Sequence, residues 1–251
     1  MPPGYIIAAD LGQVSDPTAL CVLERREPTP EVLEWTPDPF HRPEGVHSHV
    51  IHLERLDLGT PYTAIPARIR EIEDRVRTLW WSALCEESAA GGRQIPGHVT
   101  ARNAPIELVL DQTGAGRPVV DLFREAGLNP LAVTITGGDT VSWLNAREVR
   151  VSKRVLVSTV QAALQAGRVK AASGLPEWQT LRTELRNFRA KISLAGHVSF
   201  AAGETEEWRQ GTNDDLVLAL ALGLWAGEYA RARCPPLSAA LLAAYGYLGP
   251  G

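Results

Sequence analysis

The chain of 251 residues has no run of 18 or more apolar residues, so no membrane-spanning helix and no membrane partner are expected. Cysteine is scarce: Cys21, Cys85 and Cys234 are far apart, odd in number and never paired as C-x-x-C. That excludes a disulfide framework and a cysteine zinc centre, and reads as small core residues in a reducing cytoplasm. The opening run MPPGYIIAADLG lacks a charged stretch followed by a long apolar one, so no secretory signal is visible. No internal repeat occurs either. Cations are in slight deficit, with 25 Lys+Arg against 29 Asp+Glu for a net charge of −4. Such mild acidity would count against a nucleic-acid partner only if it were spread evenly.

What is present is an ordinary globular composition, 45% hydrophobic, on a chain long enough to bury a sizeable core. Tyr5 to Ala9 is an apolar run ending at Asp10, and Thr18 to Leu23 is apolar again; a short turn between them predicts a hairpin. Residues 25–45 carry five prolines and read as loop or edge, and Val46 to Leu53 alternates as a third strand. A helix is predicted from about Tyr62 to Leu84, with residues 86–105 as a mobile insertion. Ile106 to Leu110 is a buried strand ending at Asp111. Gly114-Ala115-Gly116 then leads into a helix with Pro118 in its first turn and Gly127 at its end.

Leu131 to Ile135 reads as another strand. Helices are expected from Ser152 to Gly167, from Pro176 to Arg189, and from Asn213 to Arg231, with a short strand at His197 to Ala201. The order predicts an α/β fold: an antiparallel meander, then parallel strands joined by helical crossovers. Residues 1–232 are expected to form the domain and residues 233–251 a tail.

Three acidic positions are candidates for chemistry. Asp10 and Asp111 each end a buried strand, where a parallel sheet presents its ligands, and Asp214-Asp215 opens the last helix. If strands one and four are neighbours, Asp10 and Asp111 converge. Clustered carboxylates need a cation to offset their repulsion, and hard oxygen donors suit Mg²⁺ or Mn²⁺. Two such ions hydrolyse phosphodiesters. Each acid alone also fits a turn or a helix cap, and Asp16 in Asp16-Pro17-Thr18 fits a structural turn equally well.

Residues 150–191 hold nine cations against Glu177 and Glu184, a net of +7, which leaves −11 on the remainder of a chain totalling −4. Arg182, Arg186 and Arg189 share a helical face, and with Lys153, Arg154 and Lys191 they are the candidate contacts to a DNA backbone. His41, His47, His49 and His52 lack Cys or acid partners at ligand spacing and read as surface histidines of an edge strand. Of Trp80 and Trp81, at least one indole is expected in the core.

The run Ala9-Asp10-Leu11-Gly12 with Asp16-Pro17-Thr18-Ala19 resembles the opening motif of phage terminase large-subunit nuclease domains. Leu110 to Val119 resembles their second acidic motif and Asn213 to Ala221 their third. Lys153-Arg154, Leu164 to Gly167, Glu184-Leu185, Asn187-Phe188 and Gly196-His197 follow the same cadence between them. The resemblance implies an RNase H-like fold and a two-metal endonuclease, with Asp10, Asp111 and Asp215 catalytic and Asp214 a further ligand.

Double-stranded DNA is then the expected substrate and a bacterial host cytoplasm the expected place. One departure is large: no G-x-x-x-x-G-K-[ST] loop occurs, so ATP-driven packaging would need a separate motor, with small terminase or portal as further partners. A Holliday-junction resolvase-like nuclease and a silent packaging module are alternatives. An actin- or sugar-kinase-like phosphotransferase also uses D-x-G turns, but it would need a second copy of the fold.

Overall fold

The computed structural model describes residues 4–12, 16–26, 46–92, 94–172, 174–194 and 214–229, with side chains in the helix ending at residue 194 described as far as Asn187. Its strands are β1 (Gly4–Asp10), β2 (Ala19–Arg26), β3 (His47–Arg55), β4 (Ile106–Asp111), β5 (Leu131–Thr136), β6 (Val141–Asn145), β7 (Glu148–Ser152) and β8 (Val169–Ala171). Its helices are α1 (Ile65–Ala90), α2 (Arg117–Glu125), α3 (Lys153–Gln165), α4 (Trp178–Leu194) and α5 (Asp215–Tyr229).

One mixed sheet takes all eight strands in the order β6-β7-β5-β4-β1-β2-β3-β8. β1, β2 and β3 form the antiparallel meander, whereas β4, β5 and β7 run parallel to β1. The centre of the sheet is buried on both faces, which is why β1 reads as an unbroken apolar run. Successive strand residues face opposite ways, and the two cores follow that alternation. Tyr5, Ile7 and Ala9 pack with α1 and α2 through Ile65, Ile69, Val76, Trp80 and Phe123. Ile6 and Ala8 pack on the other face with α3, α4 and α5 through Leu156, Leu181, Ala219, Leu220 and Trp225.

The last helix is buried nearly all round, twelve of its fifteen residues, and so lies in the centre of its layer. It can approach the sheet closely because Gly223 has no side chain. A Cβ there would stand 2.9 Å from Leu23 Cδ1 and 3.3 Å from Ala8 Cβ.

Several expectations need correcting. The first helix starts at Ile65 and runs on through Glu86, Glu87, Ala89 and Ala90 until Gly91 ends it, because those residues are good helix formers. The rest of the supposed insertion is anchored by buried Val99 and a 3₁₀ turn at Ala101–Asn103. The β6–β7 hairpin and three-residue β8 were not legible, being short and only partly apolar. β3 is no edge strand: it pairs with β2 and β8, and His47 is buried, His49 half-buried, and His52 hydrogen-bonded to Glu54 at 2.9 Å. Trp80 is in the core and Trp81 half-buried. The predicted strand at His197 to Ala201, His41, Cys234 and the tail lie outside the described residues.

Candidate metal and nucleic-acid site

Strands one and four are neighbours, and their register makes Asp10 and Asp111 direct partners across the parallel pair. Alternation fixes the face: Asp10 follows Ala8 and Asp111 follows Val109, both in the core beneath α5. The register row continues outward, with Asp10 opposite Ala19 of β2 and Ala19 opposite Arg55 of β3. One cross-strand line therefore reads Arg55, Ala19, Asp10, Asp111.

The helix α5 supplies the second half of the site. Gly227 lies against Ile6 and Gly223 against Ala8, so the helix runs along β1 and its N-terminus rises toward the Asp10 end. Asp214 stands at its N-cap position, where its carbonyl accepts the first intrahelical bond from the Leu218 amide at 2.9 Å. Asp10, Asp111, Asp214 and Asp215 are 9%, 6%, 6% and 8% exposed, an unusual burial for carboxylates.

Their partners show how the site is held. Arg55 donates from Nη2 to Asp215 Oδ2 at 2.9 Å. Burial pushes the Asp215 carboxyl above its usual range, Arg55 opposes this, and Asp16 and Asp214 add to the upward push. Asp111 Oδ1 accepts the Thr113 amide at 2.8 Å and the Thr113 hydroxyl, and Thr113 Oγ1 accepts the Ile135 amide at 2.7 Å. The aspartate thus also shapes the turn after β4.

Glu184 of α4 accepts the Val217 amide in the first turn of α5 at 3.1 Å, a cap provided by another helix. Burial pushes its carboxyl up to about 7. Gly12 has no room for a side chain: a Cβ would lie 2.1 Å from the Asp16 carbonyl oxygen, so the chain doubles back there. The Gly12 amide donates to Thr18 Oγ1 at 3.0 Å and its carbonyl accepts the Tyr62 hydroxyl at 2.7 Å. Burial and the charge of Asp10 both push the Tyr62 hydroxyl up.

The donors are carboxylate oxygens throughout, the chemistry a hard divalent cation takes. The backbone assembles them at one end of one face. Among the described residues, however, no three His, Cys, Asp or Glu side chains converge closely enough to hold an ion as they stand. Arg55, Glu184 and Tyr62 are the residues that sequence patterning gave no role. Glu184 was marked only by the family's cadence, and Arg55 lies two residues beyond the third strand as it was expected, so no local pattern marked it.

The basic candidates divide. Lys153 and Arg154 open α3 directly after β7, at the sheet end where Asp111 and Thr136 also close their strands. Arg154 is exposed and paired with Asp139 at 2.9 Å. Arg182 and Arg186 are exposed on α4, two residues either side of buried Glu184 and therefore turned away from α5. Arg168 is tied to Glu228 and is not part of an open track. The side chains of Arg189 and Lys191 lie outside the described residues.

A mixed sheet with an antiparallel meander and helices on both faces is an RNase H-like architecture. The chain belongs to the terminase RNaseH-like domain family, whose match covers residues 67–226. No curated protein matches it. Among solved structures it is similar to the large terminase nuclease from thermophilic phage G20c with bound magnesium, at 20% identity and TM-score 0.46. That similarity covers 88% of this chain and 80% of that one. It is also similar to the human cytomegalovirus terminase nuclease domain, Mn soaked, at 11% identity and TM-score 0.45, over 92% of this chain and 86% of that one.

Proposed function

We propose that this chain is a Mg²⁺- or Mn²⁺-dependent endonuclease that hydrolyses DNA phosphodiester bonds during viral genome packaging. The observation that carries the reading is the register pair Asp10–Asp111 lying on the face covered by α5, with Asp214-Asp215 at the near end of that helix. Asp10, Asp111 and Asp215, with Asp214 beside them, would hold two ions once their side chains turn toward one another. Bound there, such ions supply an activated water and stabilise the leaving oxygen of the phosphodiester.

The chain's own residues do the rest. Glu184 fixes the start of α5 through the Val217 amide, and Thr113 fixes the turn that carries Asp111. Lys153, Arg154, Arg182, Arg186, Arg189 and Lys191 are the proposed contacts to the phosphate backbone, which position a duplex without reading its sequence. Double-stranded DNA in a bacterial host cytoplasm is the substrate this reading implies. A separate ATPase motor, small terminase or portal protein would complete a packaging machine.

The test is nicking of supercoiled plasmid in Mn²⁺. Asp10→Asn, Asp111→Asn and Asp215→Asn are each expected to abolish it while leaving the circular dichroism spectrum unchanged. Asparagine retains the acceptor that the Thr113 turn needs, so loss of activity in D111N reports the charge. Full activity in any one variant removes that residue from the site.

A further inference from the structure

Arg55 sits where a cation at the carboxylates would compete with it. Its Cα is two strands from Asp10 across the sheet, about 10 Å, and the strand between contributes only fully buried Ala19 at that row. The small methyl leaves the guanidinium free to lie along the sheet face toward α5. There it donates from Nη2 to Asp215 Oδ2 at 2.9 Å, joining residues 160 positions apart in sequence. Its Nε is buried with no hydrogen-bond partner, so this grip uses the guanidinium fork incompletely.

A positive charge at that point offsets several neighbouring acids. Asp16, Asp214 and Glu184 all act on the same corner, and the Arg55 charge also acts on Glu184. A structural ion pair ordinarily joins groups with no second duty, whereas Asp215 opens the central helix at the proposed cation site. The guanidinium occupies Asp215 Oδ2 only, and its positive charge, held at that oxygen, opposes a second cation brought to the same carboxylate.

Resting on the nuclease reading above, we propose that Arg55 is a positioning residue that acts as the resident counter-ion of Asp215, exchanged when a divalent cation binds. The guanidinium keeps the acidic corner neutral enough to pack, and yields Asp215 to the stronger charge. Arg55 therefore sets cation affinity by competition: removing it raises affinity, although it lines the site. A purely architectural role predicts the opposite sign, since a disordered Asp215 would bind cation less well.

The experiment is isothermal titration of the chelator-stripped full chain with Mn²⁺, for the unsubstituted protein, Arg55→Gln and Arg55→Lys. A unit charge near a divalent ion in a water-like medium is worth on the order of a fivefold change in affinity. R55Q is expected to bind Mn²⁺ at least that much more tightly. It should also gain more in melting temperature on Mn²⁺ addition than the unsubstituted chain does. R55K, which keeps the charge, should return both values toward the original, and it serves if R55Q does not fold.

Mn²⁺ binding that is unchanged or weakened in R55Q overturns the assignment. So does R55K binding as tightly as R55Q. No Mn²⁺ binding by the unsubstituted chain overturns the metal reading itself and this inference with it. D10N distinguishes the two failures, because it loses Mn²⁺ binding only if the carboxylates are the ligands.

Discussion

Gly223 offers a test that connects the packing of α5 to the chemistry at its N-terminus. A Cβ at this position meets Leu23 Cδ1 at 2.9 Å, Ala8 Cβ at 3.3 Å and Leu23 Cγ at 3.4 Å. Leu23 and Ala8 are both fully buried, and the Ala8 methyl is fixed to the β1 backbone, so neither can retreat freely. For Gly223→Ala two effects oppose each other. Helix propensity favours alanine by about 1 kcal/mol, and overpacking costs about 1–3 kcal/mol. The expected net is a loss of about 0–2 kcal/mol.

Gly223→Val adds two further methyl groups at the same contact and should cost about 3 kcal/mol or more. Gly227→Ala is the graded control. Its Cβ meets Arg25 Cζ and Nε and Ile6 Cδ1 at 3.0 Å, all side-chain ends and none a Cβ fixed to the backbone as Ala8 Cβ is, so it should cost less than the Gly223 change. Asp215 lies eight residues before Gly223, about 12 Å along the helix. A helix lifted from β1 and β2 would therefore carry Asp214 and Asp215 away from Asp10. Urea unfolding read by tryptophan fluorescence gives the stabilities, and plasmid nicking gives the consequence at the site. A G223V protein with an unchanged unfolding midpoint would refute the close packing of α5 on β1 and β2.

Two other outcomes follow from the electrostatics. The Glu184 carboxyl titrates higher in the folded chain, near 7, than in the unfolded one, near 4.5, so the native state holds the extra proton between those values. Its contribution to stability is full below about pH 4.5 and falls as pH rises through 7. Glu184→Gln, which still accepts the Val217 amide, should lose that fall; a stability difference between the two proteins that is flat from pH 4.5 to 8 would sink the argument. For DNA, replacing Arg182 and Arg186 together by alanine should weaken binding equally across sequences and reduce the log–log salt slope by roughly 2. An unchanged slope, measured by fluorescence anisotropy, would remove both from the backbone contact.

Local pattern determined a good deal of this protein by itself. Apolar runs such as Tyr5 to Ala9 and Ile106 to Leu110 became β1 and β4, because a strand buried on both faces must be apolar throughout. Ser152 was legible as a helix cap, and its hydroxyl accepts the Val155 amide at 3.3 Å. The placement of Asp10, Asp111 and Asp214-Asp215 after strands and before a helix was visible for the same reason: chain order and residue type fix which end of an element a residue occupies.

What pattern could not supply was everything set by register and by packing between distant segments. That Asp10 stands opposite Asp111 depends on the pairing of β1 with β4, and a slip of one residue would turn one acid to the other face. That Arg55 reaches Asp215 depends on Ala19 leaving space between strands, and the two meet across 160 residues. The Glu184 bond to Val217 joins helices that share no local motif. The short β6–β7 hairpin and β8 exist because neighbouring strands offer them hydrogen bonds, a stabilisation absent from any window of the sequence. The sequence determined which residues were acidic and which end of each element they occupied; the tertiary structure decided which of them meet, because pairing and packing act between segments that no local periodicity connects.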